Sequence, residues 1–378
     1  MIFFKKESII NLLILFSSCI FSLLIINFFW IFYISNYDQK NGFPRKFLKY
    51  VPRPTSSWNY PDLNNNNDNQ LDQFLIIGDS YAEGMGDAFL NNQYNYSTSH
   101  FLKKGSKYSI LLAANSGSNI PYQLERIERS FQNIYLPNKV NKYLNKDNIN
   151  LIAFFYEGND LENLIILEKY KTLRPGKNNK VKRYFNKNFP LIVLIKRSIV
   201  DIKKGITNRA GKQFKVNSGN EVKKTVKICR NNKCRIFDPI QSAAPELTLN
   251  QIDHTISETI DSLVNFKNKY NSNVCLVYIP SIATLYSPDE IHYQEYLKNG
   301  NGLITSKENL EKSKYIRNKF SSVLNNEKID FYDSTKFMKR FADKEFIHGI
   351  RDKKHFNRKG YKLLADFLLP KMSNCLKK

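Results

Sequence analysis

Acidic residues are scarce in this chain: 34 aspartates and glutamates stand against 58 lysines and arginines in 378 residues, a formal net charge of +24. A surplus of that size ordinarily points to an anionic partner such as nucleic acid, anionic lipid or an acidic glycan. Here lysine, asparagine and isoleucine are abundant along the whole sequence, so the surplus also reads as a general compositional bias. Nucleic-acid binding is disfavoured, because no interleaved aromatic and basic motif of a known recognition type is present. An anionic glycan or lipid surface stays open as a partner. Cysteine is scarce too, with only Cys19, Cys229, Cys234, Cys275 and Cys375. Around the one close pair, no second cysteine pair or nearby histidine supplies the further ligands a zinc site needs. A Gly-rich G-x-x-x-x-G-K phosphate loop is also missing, and no internal repeat is evident. No cofactor and no metal is therefore expected.

What is present begins with a long run free of charge. Residues 9–34 hold no Asp, Glu, Lys or Arg and are dominated by Leu, Ile and Phe. As a helix rising about 1.5 Å per residue, the run would cross a hydrocarbon core of roughly 30 Å. Phe28, Phe29, Trp30, Phe32 and Tyr33 crowd its distal end, where amphipathic rings favour the headgroup boundary. No small-residue cleavage site follows, so the expectation is an uncleaved signal anchor rather than a signal peptide. Lys5 and Lys6 favour a cytoplasmic N-terminus, with the rest of the chain outside the cytoplasm, periplasmic or at the cell surface. The expected organisation is a cytoplasmic tail and transmembrane signal anchor over residues 1–35, a stalk over 36–72 and a catalytic domain over 73–378. The stalk reading rests on Pro44, Pro52, Pro54, Pro61 and the run Asn64-Asn65-Asn66-Asn67.

Beyond the stalk, apolar runs at Gln73–Ile77, Ser109–Ala113, Leu151–Tyr156, Val274–Ile279 and Ile329–Tyr332 predict five strands. Helical spacings lie between them: Leu124, Ile127, Phe131 and Ile134 behind Pro121; Ile256, Ile260, Leu263 and Val264; and Leu364, Ala365, Leu368 and Leu369. Alternating strands and helices predict an α/β fold with a parallel sheet covered on both faces. Strands as continuously apolar as Leu151–Tyr156 agree, because a strand buried on both sides lacks alternation. A basic stretch at about 169–250 interrupts this pattern and reads as an insertion, either a cap over the site or a solvated lobe. Within it, Val226–Phe237 is nearly symmetric about Asn231-Asn232, which predicts a β-hairpin with a Cys229–Cys234 disulfide across it. Cys275, inside an apolar strand, is expected to be a buried thiol.

Ligands of an open parallel sheet bind outside the carboxyl ends of its strands. The first three predicted strands end in Gly78-Asp79-Ser80, in Asn115-Ser116-Gly117 and in Gly158-Asn159-Asp160, so three small polar clusters fall on one sheet edge. Ser80 has the setting of a nucleophile, on a turn leaving a strand with Gly78 and Gly84 nearby. Its hydroxyl needs a base, and the candidates are His100, His254, His292, His348 and His355. Two of them have a D-x-x-H spacing, Asp289/His292 and Asp352/His355. His355 is preferred, since it follows the fifth predicted strand and precedes the terminal helix; Asp289/His292 reads as the start of a surface helix. Asp79 reads as structural.

Motif by motif, these residues resemble the SGNH, or GDSL-like, hydrolase family of lipases and esterases. Gly78-Asp79-Ser80 with Gly84 looks like its first block, Gly117 its second-block glycine, Asn159-Asp160 its third, and Asp352-Lys-Lys-His355-Phe-Asn its last. The third block commonly reads G-x-N-D, whereas here Gly158 is adjacent to Asn159. The resemblance covers residues 73–372 apart from the insertion. It implies a three-layer α/β/α domain with a mostly parallel, five-stranded, flavodoxin-like sheet. It also implies a catalytic triad of Ser80, His355 and Asp352, and an oxyanion hole formed by the Ser80 and Gly117 N–H groups and the Asn159 side chain. The implied activity is that of a serine esterase or O-acyltransferase on short acyl, chiefly acetyl, esters of cell-envelope or extracellular glycan. A lipid-directed lipase or thioesterase, and a non-catalytic glycan-binding relative, are the alternatives.

Overall fold

A computed structural model describes residues 6–36, 57–59, 73–87, 96–131, 149–173, 226–231, 233–237, 240–244, 247–287, 292–296 and 301–376. The chain forms two compact units, the first comprising residues 1–54, 134–141 and 176–218 and the second the remainder. Of the first unit, the described part is helix α1, Lys6–Asn36, which runs unbroken for 31 residues. Ile14, Leu15, Phe16, Phe21, Phe28 and Phe29 are exposed along it. The side chains of residues 6–9, 12–13, 27 and 30–36 lie outside the described set. Among the described residues, no helix is long and apolar enough to cross a membrane.

The second unit is an α/β domain. Its elements are β1 (Ser57–Asn59), β2 (Gln73–Gly78), α2 (Ser80–Glu83), α3 (Thr98–Gly105), β3 (Ser109–Ala114), α4 (Ile120–Phe131), β4 (Asn150–Tyr156) and α5 (Asp160–Leu173). There follow β5 (Val226–Arg230), β6 (Lys233–Phe237), α6 (Leu249–Lys269), β7 (Asn273–Ile279), α7 (Ile282–Tyr286), β8 (His292–Tyr296), β9 (Asn301–Thr305) and α8 (Ser306–Asn326). The last are β10 (Asp330–Asp333), α9 (Thr335–Ala342) and α10 (Arg358–Leu368). The main sheet has the order β1-β3-β2-β4-β7-β10. Strands β3, β2, β4, β7 and β10 pair in parallel, and β1 adds an antiparallel edge strand on β3. Numbered along the chain, the five parallel strands run 2-1-3-4-5, the flavodoxin-like order. They coincide with the five apolar runs of the sequence, and β2, β3 and β4 are buried almost end to end.

Both sheet faces are packed, which is why the strands lack polar alternation. On one face Phe74, Ile76, Leu112, Phe154 and Val277 join Leu102 of α3 and Tyr361, Leu364 and Leu368 of α10 in one apolar cluster. On the other, Phe155 packs edge-on against Phe320 of α8, with ring centroids 4.7 Å apart. Each such side chain contributes about 1.5–3 kcal/mol through burial. α6 starts with a capping box in which Thr248 and Gln251 satisfy each other's backbone N–H groups.

Several elements differ from the sequence reading. Residues 57–59 fall inside the expected stalk yet form β1; the rest of 37–72 lies outside the described residues. Residues 169–173 of the expected insertion belong to α5, and 174–225 lie outside the described residues. His292 begins a strand, β8, paired with β9, rather than a surface helix, because the chain returns along Asn301–Thr305 to satisfy its backbone; Asp289 lies outside the described residues. The β5/β6 hairpin forms with Cys229 opposite Cys234 and the two disulfide-bonded; Asn231 turns the chain at φ +46°. Cys275 is not a thiol. It is bonded to Cys375, which the segment after α10 carries back to the sheet.

Candidate active site

The parallel register aligns Gly78 with Ala114 and Ile77 with Ala153, so the carboxyl ends of β3, β2 and β4 lie side by side. Strands β2 and β4 flank the point where the strand order reverses, which is where such sheets hold ligands. Ser80, Gly117 and Asn159 each follow one of these three strands.

Ser80 opens the single turn α2 directly after β2 and is buried. Asp79 caps this turn: one carboxylate oxygen accepts the Tyr81 N–H at 2.9 Å, the other lies 3.1 Å from Ser80 Oγ. Burial pushes the Asp79 carboxyl above its ordinary range, against the opposing pull of the Tyr81 N–H and the nearby His355. Tyr81 stacks on Tyr156 with centroids 4.1 Å apart and donates its hydroxyl to the Lys354 carbonyl at 2.6 Å. The residue after Ser80 thus grips the loop that carries Asp352 and His355.

That loop runs between α9 and α10. Gly349 N–H to His355 carbonyl and Asn357 N–H to Ile347 carbonyl bonds fold it back on itself. Asn357 caps α10 by accepting the Gly360 N–H, and its amide donates to the Phe346 and His348 carbonyls. At the tip, Asp352 and His355 meet across the tight turn. His355 Nε2 is 2.9 Å from Ser80 Oγ, and His355 Nδ1 is 2.7 Å from Asp352 Oδ2. Burial acts to raise the Asp352 pKa, but the hydrogen bond and charge of His355, with the Lys354 N–H, outweigh it and hold the carboxyl below its usual value. Ser80, His355 and Asp352 therefore form one hydrogen-bonded line.

The other expected site residues follow the two strands that flank β2, at the same end of the sheet. Gly117 has φ +72° and is exposed, with nothing within 4 Å of the position a Cβ would take, so its backbone faces open space. The Ser116 N–H before it is held by Glu83 Oε2 at 2.9 Å. Asn159 is half-buried; its Oδ1 is enclosed without a hydrogen-bond partner, while its carbonyl accepts the Asn163 N–H. The adjacent Gly158 has a packing reason: a Cβ there would come within 2.6 Å of the Tyr156 ring.

Two residues near the site, Asp87 and Arg235, lie beyond the sequence reading, and His348, one of its candidate bases, meets Tyr286 while His355 meets Ser80. His348, fully buried, has Nδ1 2.9 Å from the Tyr286 hydroxyl, and its pKa is pushed down to about 3 by burial and by the charges of His355 and Arg235. Asp87 accepts the N–H groups of Ile350, Arg351 and Asp352. Arg235, on β6, donates to the His348 and Gly349 carbonyls. Asp87 and Arg235 act on backbone groups, where no local motif announces them; a second Gly-Asp dipeptide, Gly86-Asp87, is the one available signal. The other histidines, His100 and His254, are on α3 and α6.

Among the described residues, no group of three or more His, Cys, Asp or Glu side chains is arranged to hold a metal ion. No family model and no curated protein matches this chain. Among solved structures, the native aryl esterase of M. smegmatis aligns with a TM-score of 0.37 at 10% identity, over 81% of this chain and 100% of that chain. A second crystal structure aligns with a TM-score of 0.36 at 11% identity, over 82% and 100%.

Proposed function

We propose that this protein is a serine esterase or O-acyltransferase of the SGNH type, which works through an acyl-enzyme on Ser80. The observation that carries this reading is the continuous line Ser80 Oγ to His355 Nε2, 2.9 Å, and His355 Nδ1 to Asp352 Oδ2, 2.7 Å. His355 takes the proton of Ser80 as Oγ attacks the ester carbonyl carbon. Asp352 keeps the imidazole in the tautomer with hydrogen on Nδ1 and stabilises the imidazolium. The carbonyl oxygen becomes an oxyanion, which accepts hydrogen bonds from the Ser80 and Gly117 N–H groups and the Asn159 amide; each such donor contributes roughly 10²- to 10³-fold in rate. The carbonyl then re-forms, the C–O bond to the alcohol breaks and His355 returns the proton to the leaving oxygen. Water or a sugar hydroxyl, deprotonated by the same imidazole, next attacks the acyl-Ser80 and frees the serine.

The substrate is an acylated carbohydrate or another ester outside the cytoplasm. Two disulfides in the second unit favour an oxidising compartment. In the sequence, the uncharged run of residues 9–34 favours a membrane anchor. Arg351, Lys353, Lys354, Arg358 and Lys359 surround Asp352 and His355 in sequence, which favours an anionic glycan or a lipid surface as the bearer of the ester.

The test uses the full-length protein with a short acyl ester of a phenol and an organophosphonate label. Labelling is expected at Ser80 and turnover of the ester; Ser80→Ala removes both. His355→Ala suppresses turnover nearly as completely, His292→Ala leaves it unchanged, and Asn159→Ala lowers kcat by about 10²-fold or more with little change in KM. A folded wild type that neither takes the label nor cleaves any short ester would sink the reading.

A further inference from the structure

The loop that carries Asp352 and His355 is held from two sides by charged groups that the reaction itself does not use. On one side stands Asp87, just beyond the turn that carries Ser80. Its Oδ1 accepts the N–H of Asp352 at 2.6 Å and of Arg351 at 2.9 Å, and its Oδ2 accepts that of Ile350 at 2.5 Å. A carboxylate that gathers three successive backbone donors fixes their peptide planes far more firmly than one neutral acceptor could. The approach is close enough that a Cβ on Gly349 would meet Asp87 Oδ1 at 2.7 Å and the Asp352 carbonyl at 2.6 Å. Any other side chain at 349 would push the two apart.

On the other side stands Arg235, from the disulfide-closed β5/β6 hairpin. Its NH1 donates to the His348 carbonyl at 2.7 Å and the Gly349 carbonyl at 3.0 Å, and its guanidinium lies 4.4 Å from the Phe346 ring centroid. The hairpin is a firm base for this grip. Val226, Ile228 and Phe237 are buried in the core, Arg230 bonds the Ala342 and Tyr286 carbonyls, and Lys353 returns a bond to Ile236. Donors of residues 350–352 and acceptors of residues 348–349 are thus taken up by two opposite charges, which leaves the backbone leading into Asp352 little freedom.

We propose that Asp87 and Arg235 are positioning residues that clamp segment 348–352 and so hold Asp352 against His355. This rests on the esterase reading above and assigns to the hairpin of the insertion a role in the same site. A displacement of about 1 Å at a reacting group can lower a rate by about 10²-fold, so a clamp on the carboxylate that orients the base has kinetic weight. Loss of the clamp weakens the pairing of Asp352 with His355, and an imidazolium that lacks its carboxylate gives up its proton more readily. The acid limb of kcat/KM therefore moves to lower pH, a change that a smaller fraction of folded protein cannot imitate.

The experiment compares the full-length wild type with Asp87→Asn, Arg235→Lys and the double variant. Active sites are counted by organophosphonate labelling, and hydrolysis of a phenyl acetate is followed across pH. Asparagine keeps one acceptor oxygen but brings an NH₂ towards the amides, and lysine keeps the charge but loses the fork. Expected is a fall in kcat per labelled site of about tenfold or more, KM within about threefold, and the acid limb displaced to lower pH. The double variant should fall short of the product of the singles, since both residues act on one segment. If the variants are labelled like wild type and keep its kcat per site and its pH profile, the clamp is overturned while the esterase reading stands, whatever happens to their melting temperatures. If the wild type itself takes no label, both fall. Should one single variant not accumulate as folded protein, the other decides.

Discussion

His348 is the residue whose burial has the clearest cost in protons. It is fully enclosed beside Tyr286 and Tyr81, and Arg235 and His355 raise the electrostatic cost of protonating it while Asp352 opposes them. Its folded pKa is pushed down to about 3, against about 6.5 for an unfolded chain. Between these values the unfolded state binds more protons than the folded one, so stability falls as pH drops from about 6.5 towards about 3 and is unaffected by this group above that window. At about 1.4 kcal/mol per pH unit, the loss between pH 7.5 and pH 5 is roughly 2 kcal/mol. Urea unfolding at the two pH values measures it. His348→Gln, which cannot titrate, is expected to show a smaller drop than wild type by about that amount. Equal drops in the two proteins would mean that other groups set the acid limit.

Among the elements, the two disulfides differ in what they constrain. Cys229–Cys234 closes a separation of 5 residues and Cys275–Cys375 one of 100. In the chain-entropy account the short loop contributes about 2 kcal/mol and the long one about 4.7 kcal/mol, less any strain. Cys275→Ala with Cys375→Ala is therefore expected to lower the urea midpoint clearly more than Cys229→Ala with Cys234→Ala, and peptide mapping without reductant should recover both bonds. A larger loss from the hairpin pair would show that its grip on the 348–352 segment outweighs loop closure.

The same contrast marks what can be read from the sequence. The hairpin bond is legible because Cys229 and Cys234 flank a local turn signal. The partner of Cys275 is not, because Cys375 is brought to it by the return of the chain after α10, which no local pattern encodes. The five parallel strands are legible as unbroken apolar runs, whereas Ser57–Asn59 becomes β1 only through pairing with Ala114, Ala113 and Leu112. Likewise Ser80 and the Asp352/His355 pair announce themselves by spacing and place along the chain. Asp87 and Arg235 do not, since their partners are peptide groups that every residue possesses.

For the whole molecule, the proposed export places the α/β unit outside the cytoplasm. Its two disulfides join cysteines that a reducing cytosol would keep as thiols. The lysines and arginines flanking the uncharged run give a mixed signal: Lys5 and Lys6 precede it, while Lys40, Arg45, Lys46 and Lys49 follow it. Short-range charge counting alone would therefore favour the opposite orientation, yet long domains translocate largely regardless of their charge, and the first apolar segment usually dominates. The disulfides decide the expectation. A reporter fused after Lys378 is expected to be active only if it functions outside the cytoplasm, and both bonds should be present in protein made by cells with an oxidising export pathway. A reporter active only in the cytoplasm, with Cys229, Cys234, Cys275 and Cys375 all open to alkylation, would overturn the exported placement. Any ester substrate of the proposed enzyme would then be intracellular, and the +24 charge would point to partners there.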